Sequence, residues 1–302
     1  MIRDTPLSRR SLLGAGLAVS TAGLLAGNGF SLPAMATGSV RNELSTLERE
    51  HDARLGVYGL NTRTGATVAY RADERFPMCS TFKTLASAAI LRDRDCNGEF
   101  LNKVIRYTKK DLVAGSPITQ EHVGKGMRVA DLCHAAICYS DNTAANLLLR
   151  QLGGPYGVTR FCRSIGDLHS RLDRYETELN TAIPGDVRDT TTPSAMGANL
   201  RRLVLGNALN ERDREQLTAW LKANTTSKKR FGAGLPSNWV LGDKTGSGDY
   251  GTANDVGVAW TTAGTPLVLA VYTTKHTKDA VWDDALIAKT ARILASTLAP
   301  GE

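Results

Sequence analysis

The sequence predicts a mixed α+β fold, α/β in composition: an antiparallel five-stranded sheet flanked by helices, with an all-helical domain inserted between its strands. Three observations lead there. Five strand-like runs fall in two groups near opposite ends of the 302 residues. Connections within the C-terminal group are short, as antiparallel neighbours allow. Between the groups the periodicity is helical.

The first 36 residues are set apart from that fold. Arg9-Arg10 in SRRSLL precede a mild Gly/Ala/Leu stretch to about Ala26, and Ala34-Met35-Ala36 closes it with small residues. Basic, apolar, then small-x-small is the order of an export signal, and the paired arginines suggest the twin-arginine route. Gly14, Gly16, Gly23 and Gly27 interrupt the apolar run, which falls short of the ~20 residues a membrane span needs. The expected product is soluble, periplasmic or secreted, starting at about Thr37.

From there, residues 40–54 (VRNELSTLEREHDAR) read as a helix. Leu55–Asn61 and Ala66–Tyr70 alternate around Thr62-Arg63-Thr64-Gly65, a hairpin signal. Helical signals run from Ser80 to about Trp220. Three strand-like runs follow, Trp239–Thr245, Thr252–Thr262 and Leu267–Thr274, and a helix closes the chain from Ala280 to about Leu298. Residues 37–75 plus 220–302 would thus form one discontinuous domain. Residues 76–219 would form the helical one, with a ligand cleft at the boundary.

Composition bounds the partners. Hydrophobic residues make up 42% and charged residues 22%, an ordinary globular balance. Without Arg3, Arg9, Arg10 and Asp4, 34 basic residues face 29 acidic ones, for a charge of +5. The tight basic clusters, Lys109-Lys110 and Lys228-Lys229-Arg230, lack the interleaved aromatics of a nucleic-acid platform. A small anionic ligand fits better. Five cysteines are an odd number, so at least one is unpaired or pairs with another chain. Cys133-His134 and Cys138 lack the spacing of a zinc site, and no cofactor is expected.

Four short motifs carry chemistry. In Cys79-Ser80-Thr81-Phe82-Lys83, Ser80 and Lys83 stand three apart and share a helix face. Apolar neighbours from Phe82 to Leu91 deprive the lysine of water, which lowers its pKa. A neutral amine can deprotonate the hydroxyl and make Ser80 a nucleophile without histidine. The plainer alternative is a capping serine and a snorkelling lysine. Ser140-Asp141-Asn142 precedes an apolar helix ended by Gly153-Gly154. It reads as a helix cap, or as a hydroxyl passing a proton to a leaving amine and an amide holding a substrate. Glu176 and Asn180, four apart, would stand one above the other on a short helix, where both can grip one water. Lys244-Thr245-Gly246-Ser247-Gly248 fails as a phosphate loop, because Asp243 intervenes before the lysine and strand follows. It suits a carboxylate laid against the backbone.

S-x-x-K, S-D-N, E-x-x-x-N and K-T-G in this order closely resemble the class A serine β-lactamases, over about Val40 to Ala299. The resemblance implies the serine β-lactamase/penicillin-binding-protein-like fold and a monomer hydrolysing small β-lactam antibiotics. Ser80 would be acylated, with Lys83, or Glu176 through a water, as acylation base. Ser140 would protonate the lactam nitrogen, and the Ser80 and Ser247 N–H groups would hold the oxyanion. Lys244, Thr245 and Ser247 would bind the substrate carboxylate with help from Arg230, and Asn142 its side-chain amide. Glu176 and Asn180 would activate the hydrolytic water, on a loop clasped by Arg174 and Asp189. Departures are visible. Gly115 replaces an aromatic wall, and Thr177 follows Glu176 where proline and a cis bond are common. Ser87 replaces a cysteine that in some members bridges to the Cys133 position, and the usual partner position of Cys79 is Gly248, so neither disulfide is expected. Rivals are a D-alanyl-D-alanine peptidase, which usually lacks an equivalent of Glu176, and a membrane-tethered β-lactam sensor.

Overall fold

The structure, a computed structural model, describes residues 34–302, with side chains from residue 38. Residues 1–33, most of the expected export signal, lie outside the described residues. Helix α1 (Ala34–Glu50) ends four residues earlier than the sequence pattern suggests. Asp52 adopts φ +43° there, turning the chain so that β1 (Arg54–Asn61) can begin. The hairpin to β2 (Thr67–Tyr70) forms as expected, with Leu60 opposite Thr67. The Asn61 side chain accepts from the N–H groups of Arg63 and Thr64 at 2.9 and 3.1 Å, which fixes the turn.

The other three strands are β3 (Val240–Gly248), β4 (Thr252–Trp260) and β5 (Pro266–Thr274). All five join one antiparallel sheet in the order β2-β1-β5-β4-β3, so the two ends of the chain meet where β1 pairs with β5. Along β5 the buried residues alternate between two cores. Leu267, Leu269 and Val271 pack with Leu44 of α1 and with Leu286 and Leu294 of the C-terminal helix. Val268, Ala270 and Tyr272 face the helical block. Burial on both faces is why the run reads as continuously apolar.

That block contains α2 (Phe82–Asp93), α3 (Val129–Cys138), α4 (Asn142–Gln151), α5 (Tyr156–Ser164), α6 (Pro193–Leu200) and α7 (Glu211–Lys222), and the chain closes with α8 (Asp284–Leu298). In α2 every residue from Phe82 to Leu91 is buried. A helix apolar on all sides belongs in the middle of a core, and this one is wrapped by the others. Helix α8 starts at Asp284 rather than Ala280, because Asp283 caps it by accepting from the Leu286 N–H at 3.0 Å. Two ladders not foreseen, Phe76–Pro77 with Thr190–Thr191 and Val104–Ile105 with Met127–Arg128, span two residues per strand. Such lengths leave no periodicity to read.

The N-terminus of α2 meets the edge strand β3. A Cβ on Gly246 would stand 3.1 Å from the Ser80 nitrogen and 2.8 Å from the Met78 oxygen. Glycine there lets the two backbones touch.

Candidate active site

Ser80 sits in a single 3-10 turn, Cys79–Thr81, that runs directly into α2. One turn on, Lys83 is fully buried, and its Nζ lies 2.9 Å from Ser80 Oγ, 2.8 Å from the Ser140 carbonyl, 2.6 Å from Asn142 Oδ1 and 3.0 Å from Glu176 Oε1. This lysine does not snorkel. Burial pulls its pKa down, and the nearby Glu176 opposes that shift.

Ser140 and Asn142 arrive from the loop between α3 and α4. Ser140 takes φ +57°, a left-handed bend that aims its hydroxyl toward both lysines, 3.4 Å from Lys83 Nζ and 3.1 Å from Lys244 Nζ. Asp141 fixes the bend. Its buried carboxylate caps α4 by accepting from Ala144 N–H at 2.8 Å, and it also accepts from Ile118 and Thr119 N–H, both at 2.9 Å. The capping reading of Ser140-Asp141-Asn142 is therefore correct for Asp141, while its two neighbours face the cavity.

Glu176 and Asn180 are brought together by a turn. Asn180 Nδ2 donates to Glu176 Oε2 at 2.5 Å, leaving Oε1 3.3 Å from Ser80 Oγ. They do not share a regular helix, since only Glu178–Thr181 forms a 3-10 turn, and the Glu176–Thr177 peptide is cis. Asn146 of α4 holds the Glu176 backbone on both sides, accepting from its N–H and donating to its carbonyl, each at 2.9 Å. The loop is closed by Asp189, which accepts from Arg174 Nε at 2.6 Å and from the N–H groups of Asp173 and Arg174 at 2.7 and 3.0 Å. Asp189→Ala strips three donors of a buried acceptor, and breaking a buried pair costs about 3–5 kcal/mol. The variant is expected to melt at least several degrees lower and to lose activity; a melting curve superimposable on the parent's contradicts the clasp.

Strand β3 supplies the opposite wall. Lys244 Nζ donates to the Thr245 carbonyl at 2.8 Å, and the Thr245 hydroxyl lies 2.6 Å from that of Thr226. Burial and the charge of Lys83 bring the Lys244 ammonium down to about 7. Arg230 is buried behind the strand. It donates to Asp284 at 2.6 Å, to the carbonyls of Gly246 and Asn254 at 2.7 and 2.8 Å, and to Ser247 Oγ at 2.6 Å. It reaches the cavity mainly through Ser247, a geometry its place in the sequence does not reveal.

All ten sequence-identified residues converge. Seven, Arg230 among them, line a cavity of about 730 Å3, and the other three, Lys83, Lys244 and Glu176, stand within hydrogen-bond reach of residues that do. Gly115, at φ +74°, and half-exposed Trp282 lie at its mouth. All five cysteines are free thiols, and Cys79 Sγ stands 2.8 Å from where a Gly248 Cβ would be. Among the described residues no cluster of three His, Cys, Asp or Glu is arranged to hold a metal, and no helix is long and apolar enough to cross a membrane. Sequence reading missed Asn146, Asp284 and Trp282, none of which belongs to a short motif.

The arrangement offers a hydroxyl between two basic groups, a second hydroxyl between two lysines, and a strand edge for an anion. Comparisons with known proteins agree with it. Residues 39–298 match the model of the β-lactamase enzyme family. A β-lactamase of Streptomyces lavendulae is 55% identical over 296 residues, covering 96% of this chain and 97% of that protein. The structure of the Streptomyces albus G β-lactamase superposes with a TM-score of 0.85 at 57% identity, over 86% of this chain and 99% of that one. One from Desulfarculus baarsii gives 0.86 at 51% identity, over 88% and 99%. The chain belongs to the β-lactamase enzyme family, as a class A hydrolase.

Proposed function

We propose that the chain hydrolyses penicillins and cephalosporins through an acyl-enzyme on Ser80, and so confers resistance to them. The observation that carries this reading is the Glu176 carboxylate held 3.3 Å from Ser80 Oγ, close enough for one water beside them to touch both the base and the ester. Ser80 Oγ attacks the lactam carbonyl while its proton passes to Lys83 directly or to Glu176 through water. The ring C–N bond breaks as Ser140 protonates the nitrogen. Backbone N–H groups of Ser80 and Ser247 hold the oxyanion, donors of a kind worth about 10²–10³ in rate. Lys244, Thr245 and Ser247 receive the substrate carboxylate, with Arg230 orienting Ser247, and Asn142 receives the side-chain amide. Glu176 and Asn180 then activate the water that cleaves the ester. No metal or cofactor takes part.

The proposal includes the remaining sequence readings. Residues 1–36 direct twin-arginine export to the periplasm or medium. The mature chain acts as a monomer, with residues 37–75 plus 220–302 as one domain and 76–219 as the other.

A peptidase or a sensor with the same serine would acylate and stop. Excess chromogenic cephalosporin separates the readings: many turnovers per enzyme are expected, whereas a single stoichiometric burst excludes hydrolytic deacylation.

A further inference from the structure

Beneath Lys244 lie two buried carboxyl groups that the proposed steps do not use. Asp243 precedes Lys244 on β3 and pairs with Gly257, while Asp255 on β4 pairs with Thr245. The two are diagonal neighbours on one face of the sheet, 2% and 0% exposed. Asn224 Nδ2 donates to Asp243 Oδ1 at 2.7 Å, with the buried Ser227 hydroxyl also close to that carboxyl, and Phe231 N–H donates to Asp255 Oδ2 at 3.1 Å. The other oxygens, Asp243 Oδ2 and Asp255 Oδ1, are buried without a donor among the described residues, and the two carboxyls are within hydrogen-bonding reach of each other.

Two ionised carboxylates facing one another in such a place repel, and each leaves an oxygen unserved. A single proton between them removes both penalties, as in other buried carboxyl pairs. We propose that Asp243 and Asp255 hold one proton between them and present a single negative charge beneath Lys244, keeping its ammonium charged to receive the substrate carboxylate. The second half rests on the proposed role of Lys244.

The surrounding charges show why that anion matters. Lys244 faces Lys83 from α2, Cys138 from α3, and Arg230 from the segment before Phe231. Lys83 has Glu176 as its counter-charge and Arg230 has Asp284. Burial and the two cations push Lys244 toward the neutral amine, and Asp243 and Asp255 push the other way. Burial raises both acids, Asp255 well above the usual carboxylate range. The pair is a positioning device, since neither group touches substrate.

The geometry sets an unusual test. Asn at either position reproduces the shared-proton state: its oxygen accepts from Asn224 or Phe231, its NH2 donates to the remaining carboxylate, and the charge stays at minus one. Asp243→Asn and Asp255→Asn are each expected to keep the parent's profile of penicillin KM against pH. Asp243→Asn/Asp255→Asn removes the charge, so the alkaline rise in KM should move down by about 1–3 pH units, the effect of losing a neighbouring opposite charge. A second readout is independent of kinetics. The parent's proton NMR spectrum should hold a far-downfield, exchange-protected carboxyl proton, and either single variant should lack it. A missing resonance, single variants that behave like the double, or a double like the parent overturns the proposal. Lys244→Ala separates the two readings: an unchanged KM removes Lys244 from carboxylate binding, and with it the pair's second role, while the resonance still decides the shared proton.

Discussion

Glu176→Gln is expected to stop the reaction with the opened β-lactam still bonded to Ser80. Glutamine keeps the length of the side chain and an oxygen to accept from Asn180, which now donates to Oε2 at 2.5 Å, but it cannot take a proton from water. Losing a positioned general base typically costs about 10²–10⁴ in rate, and here the loss falls on deacylation. With benzylpenicillin, steady-state kcat should drop by about 10³ while intact-protein mass spectrometry shows one penicillin per chain. If Lys83 serves as the acylation base, the adduct forms at nearly the parent rate. If Glu176 serves through water, it forms slowly and still persists. Rapid clearance of the adduct by this variant contradicts the role given to Glu176.

Lys83→Met should fail one step earlier. Methionine fills the buried volume with a flexible side chain, but the contacts to Ser80, Ser140, Asn142 and Glu176 disappear together. Without the ammonium or amine at that point, kcat/KM should fall by about 10³ or more, in line with loss of an acid–base group, and no stable adduct should accumulate. Stability should suffer as well, because Glu176 keeps a buried carboxylate without its cation; breaking such a pair costs about 3–5 kcal/mol. A second change, Glu176→Gln on the Met background, should restore much of the melting temperature without restoring activity. An unaltered melting curve in Lys83→Met contradicts the buried ion pair.

Much of this was legible in the chain. The five strands read correctly because alternation or unbroken apolar runs with short connections mark an antiparallel sheet. The closing helix read correctly because Leu286, Ile287, Ala291 and Leu294 repeat at helical spacing and all are buried. The site residues were legible because chemistry confines them to short motifs whose spacing survives folding. Ser80 and Lys83 had to share a face, and the surrounding apolar residues already indicated that Lys83 is dry. What stayed hidden depends on contacts between distant segments. Asn146 looks like one more polar position on α4 until the loop bearing Glu176 folds across it. Arg230 looks like an open guanidinium until Asp284, 54 residues on, and two strand carbonyls take its donors. Asp243 and Asp255 look like ordinary strand charges, and only the register of β3 against β4 makes them neighbours.

The central claim is that Ser80 carries the acyl group and Glu176 releases it. Acid-quenched digests of parent and Glu176→Gln, taken after mixing with benzylpenicillin, test both halves at once by peptide mass. The expected result is a penicilloyl group on the peptide containing Ser80, persistent in the variant and vanishing from the parent as substrate is exhausted. An adduct on another peptide, or one that persists equally in both proteins, contradicts it.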